Sequence, residues 1–226
     1  MSMEMMKKVL VGAIGVAIYS FSGSAQAACN TTTADQWECL QAETSAGSGT
    51  YTDLTSATTM SGPYTFEGVS DLSYSVFGIP VLTAQCIVTL EGEVDVDPTA
   101  NRAYLEVTSG AVSQDPAAPD SDCDDITISS FVWYFEDPND GQLGIDGANG
   151  GDVHLPATDF AVGDIDEMKV SHSSFGQICS GPLEGVEFRN GSPVSEPSSF
   201  DFAASVGNCN INGMVTTDGY VDVNAW

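Results

Sequence analysis

The feature that most constrains the fold is the stretch of residues 198–217, where apolar and polar side chains alternate on both sides of the dipeptide Gly207-Asn208. A period of two places every second side chain on one face of a strand, and a short turn between two such runs is typical of a β-hairpin. The sequence therefore predicts two antiparallel strands, each with one buried face. The residues predicted to share that face are Phe200, Phe202, Ala204 and Val206, then Cys209, Ile211, Gly213 and Val215.

The same alternation recurs along the chain, for example in residues 86–94, where Cys86, Val88, Leu90 and Val94 share one parity. No stretch shows the apolar spacing of an amphipathic helix. Many short strands separated by turn-rich spacers favour an all-β fold, and we expect an antiparallel β-sandwich. The predicted strands are residues 64–66, 72–77, 86–94, 102–107, 126–135, 160–162, 167–172, 183–188, 200–206, 209–216 and 220–223.

One predicted strand, residues 126–135, changes phase. Ile126 and Ile128 share one parity, whereas Phe131, Trp133 and Phe135 share the other. A β-bulge near residues 129–130 would bring both sets to one face, because the extra residue shifts the alternation by one position.

The first residues have the form of a secretory signal peptide. Lys7 and Lys8 precede an apolar run at residues 9–18, and residues 25–27 form an Ala-Gln-Ala cleavage site. The run is too short to span a membrane. The predicted organisation is a signal peptide at residues 1–27, an N-terminal extended arm at residues 28–82 with a small disulfide loop and short strands, and the sandwich at residues 83–226.

The charge of the chain limits the classes of partner that it is expected to bind. Its 32 acidic and 5 basic residues give a formal net charge of −27. Binding to nucleic acid needs clustered Lys and Arg, and anionic lipid needs the same, so the sequence predicts neither partner. Such a surface favours solubility and attracts cations. Adaptation to salty surroundings and a specific cation-dependent role both remain open as its cause.

All six cysteines follow residue 27, and an even number in an exported chain indicates disulfides. Zinc is the less favoured reading, because no Cys-x-x-Cys spacing occurs. Six cysteines allow 15 connectivities. We prefer one in which the two cysteines that open similar strands are joined, the acidic loop is tied to a later turn, and the first pair is local. These pairs are Cys86–Cys209, Cys123–Cys179 and Cys29–Cys39.

Signals of catalysis are weak, so we predict no catalytic or cofactor-binding residue and no enzyme. The Gly-x-Ser-x-Gly and His-Glu-x-x-His motifs are absent, and His154 and His172 are the two histidines. A pair of carboxylates of the glycosidase type stays open, because nothing in the sequence selects one. The one cofactor considered is calcium, in the Gly-rich residues 137–152, where a solvated loop is the preferred reading. Its oxygen ligands would come from Asp137, Asn139, Asp140, Asp146, Asn149 and Asp152.

Several motifs in residues 83–217 together resemble the PraB family of exported bacterial proteins, named as activators of alkane oxidation. The matching positions are Cys86, Val88, Thr89, Leu90 and Gly92; Cys123, Ile126, Phe131 and Trp133; Cys179, Ser180, Gly181 and Pro182; and Val206, Gly207, Cys209, Ile211 and Gly213.

The resemblance implies a secreted, non-enzymatic accessory protein of the bacterial exterior. It would act at cell-surface or oil–water interfaces, with a hydrophobic surface as its partner, and assist growth on hydrocarbons. The alternative is self-association, as a structural subunit of an extracellular fibre or biofilm matrix. In that case the N-terminal arm would add a strand to the open sheet edge of a neighbour.

We predict that the precursor is cleaved after Ala27, because the Ala-x-Ala site follows an apolar run of signal-peptide length. Intact-mass measurement of the exported protein checks this. A mature N-terminus within residues 9–18 would contradict the interpretation.

Overall fold

The structure is a computed structural model that describes residues 40–54, 61–97, 102–136, 161–191 and 196–225. Within them the chain forms twelve strands and one short 3₁₀ helix, Ser121–Asp125, so the all-β prediction is confirmed. The strands are β1 (Leu40–Glu43), β2 (Tyr51–Asp53), β3 (Ser61–Val76), β4 (Ile79–Asp97), β5 (Arg102–Gln114), β6 (Ile126–Ser129), β7 (Trp133–Glu136), β8 (Ala161–His172), β9 (Gly176–Arg189), β10 (Ser199–Val206), β11 (Cys209–Thr216) and β12 (Val223–Ala225).

The main sheet closes on itself as an antiparallel barrel of eight strands. The strands pair around the barrel in the order β3, β4, β5, β7, β8, β9, β10 and β11, with β6 paired to β8 beside β7, and β11 then pairs back with β3. The expected β-sandwich is therefore wrong. Alternation predicted one buried face for each strand, but that face looks across the interior of one closed sheet and not at a second sheet.

The predicted hairpin at residues 198–217 is confirmed as β10 and β11, which pair from Ser199–Thr216 to Val206–Cys209 around the turn at Gly207 and Asn208. β11 then pairs with β3 at a close approach. A Cβ on Gly68 would lie 2.0 Å from the backbone oxygen of Met214, so only glycine fits there. This contact lies at the seam that closes the barrel.

The predicted phase change in residues 126–135 is also confirmed. The stretch divides into β6 and β7, which both pair with β8, and Ser130 between them has a positive φ of 72°. Ile126, Trp133 and Phe135 are all buried although their parities differ. The irregularity at Ser130 therefore shifts the alternation by one position and brings both sets of residues to one face, as was expected of a β-bulge.

The N-terminal segment does not form a separate arm where the structure describes it. Residues 61–76 form β3, which pairs with β4 on one side and β11 on the other. The expected boundary between residues 82 and 83 falls inside β4. The predicted strands at residues 64–66 and 72–77 fall largely within β3, whose alternating Tyr64, Phe66 and Leu72 are all buried and face the interior.

A second, small sheet packs at one end of the barrel. It has the order β12-β1-β2, and its Ala42 and Val223 belong to the same hydrophobic cluster as the barrel interior. This end, where β10 begins and β11 finishes, is called the capped end below. The opposite end carries the turns at residues 77–78, 173–175 and 207–208 and is called the disulfide end.

A buried carboxylate joins the small sheet to the barrel. Asp222, 4% exposed, accepts hydrogen bonds from the Ser198 backbone N–H (2.9 Å) and hydroxyl (2.7 Å), from the Thr217 hydroxyl (2.5 Å), from the Tyr51 phenol (2.7 Å) and from the Asn224 side-chain amide (3.1 Å). Burial, then the bond to Asp222, raises the pKa of Tyr51 above its ordinary value. Tyr51 therefore stays a neutral donor.

Both disulfides of the described residues differ from the preferred pairing. The bonds are Cys86–Cys123 and Cys179–Cys209, with Cα–Cα distances of 5.6 and 5.7 Å. Cys209 opens β11, but Cys86 lies inside β4, and the two cysteines flank β3 on opposite sides, in register with Tyr74 and Ser70. Two strand spacings, about 10 Å, exceed the reach of a disulfide. Cys29 and Cys39 lie outside the described residues.

Each disulfide reinforces a seam where the barrel ladder is short. β5 and β7 pair through two residues each, and β9 and β10 through three. Cys86–Cys123 ties the connection after β5 back to β4, and Cys179–Cys209 joins β9 to β11 where the β9–β10 ladder is not formed. In the chain-entropy model, loops of 37 and 30 residues each stabilise the fold by about 4 kcal/mol.

None of the helical structure in the described residues is long and apolar enough to cross a membrane. Two disulfides are compatible with an extracellular protein.

We predict that peptide mapping of the oxidised protein, digested without reduction, recovers Cys86 linked to Cys123 and Cys179 linked to Cys209. These are the pairs whose strands the barrel brings within bonding distance. Recovery of Cys86 linked to Cys209 would show that the strand order around the barrel is different.

We predict that Asp222→Ala lowers the free energy of unfolding by about 3 kcal/mol or more. The substitution leaves buried donors on Ser198, Thr217 and Tyr51 without their acceptor. The measurement is urea denaturation. Asp218→Ala, which changes an exposed aspartate of the same turn, is the matched control and should stay within about 0.5 kcal/mol of the wild type. Equal losses in the two variants would contradict the anchoring role of Asp222.

Candidate apolar binding site

The interior of the barrel is built from the inward-facing half of each strand. In β4 the inward residues are the even-numbered ones, with Leu82, Ala84 and Cys86 buried, while Thr83 and Gln85 face solvent. Strict alternation of this kind in a closed sheet directs one set of side chains to the barrel axis. Because those sets are apolar in this chain, the barrel encloses an apolar interior.

The inward side chains do not fill that interior completely. A cavity of about 110 Å³ remains among them, and some inward-facing residues next to it, Val88, Leu90, Val112 and Ile128, are only partly buried. The cavity is lined almost entirely by apolar groups. Its walls include Phe66, Leu72, Val88, Leu90, Val107, Val112, Ile126, Ile128, Trp133, Phe135, Ile165, Met168, Leu183, Val186, Phe200, Phe202 and Ile211.

Aromatic rings close in on the cavity towards the capped end. Phe200 lies 4.8 Å from Phe66, 5.0 Å from Phe188 and 5.7 Å from Phe135, measured between ring centroids. Edge and tilted contacts at these separations add to the stabilisation that burial of the rings supplies. The four rings are called the phenyl cluster below. They pack together into an apolar wall towards the capped end of the barrel.

Polar groups on the inner wall have their hydrogen bonds directed into the sheet. The Trp133 indole N–H donates to the backbone oxygen of Ser129 (3.1 Å), and its ring stacks on Phe131 at 4.4 Å. The inward Ser70 hydroxyl donates to the backbone oxygen of Asn212 (3.3 Å). With these groups satisfied by the protein, the surface that they present to the cavity is effectively apolar.

Gly110 keeps part of the interior open. A Cβ at this position would lie 2.7 Å from Cδ1 of Ile128, 2.9 Å from Cδ2 of Leu90 and 3.1 Å from Cζ of Phe131. A larger residue would push these side chains into the cavity. Glu93 and Glu106 are its acidic boundary residues, and they are paired in register on the β4–β5 ladder, away from the Cys86 end.

The chemistry of this site is that of an apolar host. An engineered apolar cavity of about 150 Å³, a similar size, stays dry and binds benzene or xenon. Small-ligand sites in eight-stranded barrels occupy this same position. A hydrocarbon placed here would gain the free energy of leaving water and, away from the boundary carboxylates of Glu93 and Glu106, would meet an apolar wall.

Of the histidines and calcium ligands considered from the sequence, only His172 lies in the described residues. Residues 137–152, His154, Cys29 and Cys39 are outside the described residues, so the calcium hypothesis stays untested. In the part of the chain that the structure describes, no group of three or more His, Cys, Asp or Glu side chains is placed to hold a metal ion. His172 is buried at the disulfide end, where its Nδ1 accepts from the Ser174 backbone N–H (3.1 Å) and its ring lies 4.8 Å from Phe175.

Sequence reasoning did not identify the cavity. Its walls are the same alternating residues that predicted the strands, and the pattern alone marks them as core. Space left between core residues depends on how the strands close, which alternation does not encode.

Comparison of the chain with family models, with curated proteins and with solved structures finds no match. The resemblance to the PraB family therefore stays a prediction.

Proposed function

We propose that the protein is an exported, non-enzymatic binding protein that takes up a small apolar molecule, of the hydrocarbon class, inside its barrel. The observation that carries the proposal is the cavity of about 110 Å³ with an almost wholly apolar wall. Its role outside the cell would be that of an accessory protein that assists growth on hydrocarbons, as the PraB resemblance implies.

The hydrophobic effect alone makes this binding feasible. Burial of one CH₂ group is worth about 0.8 kcal/mol, so a six-carbon chain gains about 5 kcal/mol before the cost of association. The barrel is already formed and tied by two disulfides near one end, so little of this gain is lost to ordering the host. The free energy of burial and the cost of association together predict weak binding of small hydrocarbons, with little dependence on their shape.

The alternative, a fibre subunit assembled by strand exchange, finds less support in the described residues. That reading needs a donor strand in the N-terminal arm. The described part of the arm includes β3, which pairs on both sides within its own barrel, so it could be donated only by opening the barrel.

We predict that n-hexane or benzene at saturation in buffer raises the thermal midpoint of the wild-type protein, because a ligand bound by the native state stabilises it by mass action. Val88→Phe should abolish the increase by filling the cavity that Val88 lines. Intrinsic fluorescence during heating measures the midpoint.

Val69→Phe is the matched control, since Val69 is 38% exposed, lies outside the cavity wall and receives the same substitution. It should keep the hexane-dependent increase. Val112→Ile adds a single methyl group to the cavity and gives a second test if Val88→Phe folds poorly. The proposal fails if neither hydrocarbon shifts the wild-type midpoint, or if the cavity-filling variants respond as the wild type does.

A further inference from the structure

Charge is distributed unevenly around the disulfide end of the barrel. Three long segments contain no Asp, Glu, Lys or Arg, although the chain has 32 acidic residues. Each segment includes a turn of the disulfide end together with strand residues on both sides of that turn. They are residues 72–90, 170–183 and 202–217.

These segments are neighbours in the sheet and not scattered around it. They belong to the hairpins β3–β4, β8–β9 and β10–β11, and the strand order β8-β9-β10-β11-β3-β4 makes them one continuous arc. The Ser75 backbone N–H donates to the backbone oxygen of Asn208 (3.0 Å), which joins two of the turns. We call this surface the uncharged arc.

The uncharged arc also exposes large apolar side chains. Phe77 is fully exposed (101%), Ile79 is 67% exposed and Phe175 is 51% exposed. Single exposed hydrophobes are ordinary on protein surfaces. Several of them at one end of an otherwise acidic protein, with no charge in the segments between, mark a surface that water does not favour.

The turn at Phe77 has an unfavourable residue for its conformation. Phe77 and Gly78 both have positive φ, 52° and 78°, as in a two-residue hairpin turn of type I′, which prefers Asn-Gly. A bulky residue at positive φ is strained, and the exposed ring gains no burial in return. Strain without a folding benefit points to a function for the ring.

We propose that the uncharged arc is the end by which the protein adsorbs to a liquid hydrocarbon surface, with Phe77 and Ile79 inserted. The side chains of a fully exposed, convex hairpin tip do not fill a pocket of this protein. They can enter a liquid apolar phase directly, because a liquid does not need a preformed pocket of matching shape. The acidic remainder would stay in water and hold neighbouring molecules apart.

The connection between β5 and β6 limits how the protein could sit. It lies at the same end, beside the uncharged arc, and carries Asp115, Asp120, Asp122, Asp124 and Asp125. Insertion of these carboxylates would be costly. The adsorbed barrel would therefore tilt, with the β3–β4 tip deepest and this connection lifted towards water.

The test uses adsorption of the mature protein to droplets of n-hexadecane, with interfacial tension as the readout. Phe77→Asn/Ile79→Thr should need roughly tenfold more protein than the wild type for the same drop in tension, because two buried apolar side chains are lost. Phe77→Asn alone should raise the thermal midpoint, because Asn suits the type I′ turn.

Val69→Thr is the matched control, because Val69 is 38% exposed on β3 and lies outside the three uncharged segments. It should adsorb as the wild type does. Equal adsorption by the double variant, or an equal loss in Val69→Thr, would overturn the proposal. So would sedimentation showing that the tip joins two copies, or tighter binding to phosphatidylcholine vesicles than to hydrocarbon.

The adsorption proposal takes one point from the proposed function, namely that the apolar phase is a hydrocarbon. Adsorption and internal binding can therefore fail separately. The double variant should keep the hexane-dependent midpoint increase, which reports the cavity. Loss of adsorption with that increase intact supports the surface role, and absence of the increase in every protein defeats the internal site alone.

Discussion

The pairing of β11 with β3 is the constraint on which the rest of the structure depends. Without it, the alternating strands would form an open sheet with two edges and one apolar face exposed to water. With it, the sheet has no free edge at this seam and its apolar face becomes an interior. The glycine at position 68, set against the backbone of Met214, permits the approach. The cavity and the buried rings follow from this closure, which also brings the uncharged segments of the β10–β11 and β3–β4 hairpins side by side.

The two ends of the barrel are held by different means, and this explains why space remains between them. The phenyl cluster and the Asp222 network fix the capped end by packing and hydrogen bonds. At the other end one disulfide ties the connection after β5 to β4, and the second joins β9 to β11 where the β9–β10 ladder is not formed. Because neither device needs the central interior to be filled, smaller residues such as Val88 and Val112 can line it. An apolar molecule can then supply the missing contacts.

The local structure could be predicted from the sequence, and the closure could not. Alternation located the β10–β11 hairpin and even the phase change at Ser130, because both depend on neighbours in the chain. It did not distinguish a sandwich from a barrel, since Phe202 or Leu90 would be buried in either. Cysteine pairing failed for the same reason: similar patterns around Cys86 and Cys209 said nothing of the strand between them. The exposure of the Phe77 ring was not predicted, because Phe77 was placed at the end of the predicted strand at residues 72–77.

The most direct test of the account is a crystal structure of the protein determined under xenon pressure. Xenon enters dry apolar cavities and does not bind where packing is complete or where water is held by polar groups. The account predicts xenon density inside the barrel, in contact with Leu90, Val112 and Ile211. A closed barrel with no xenon in its interior, or with ordered water there, would contradict the claim that the barrel is built to hold an apolar guest.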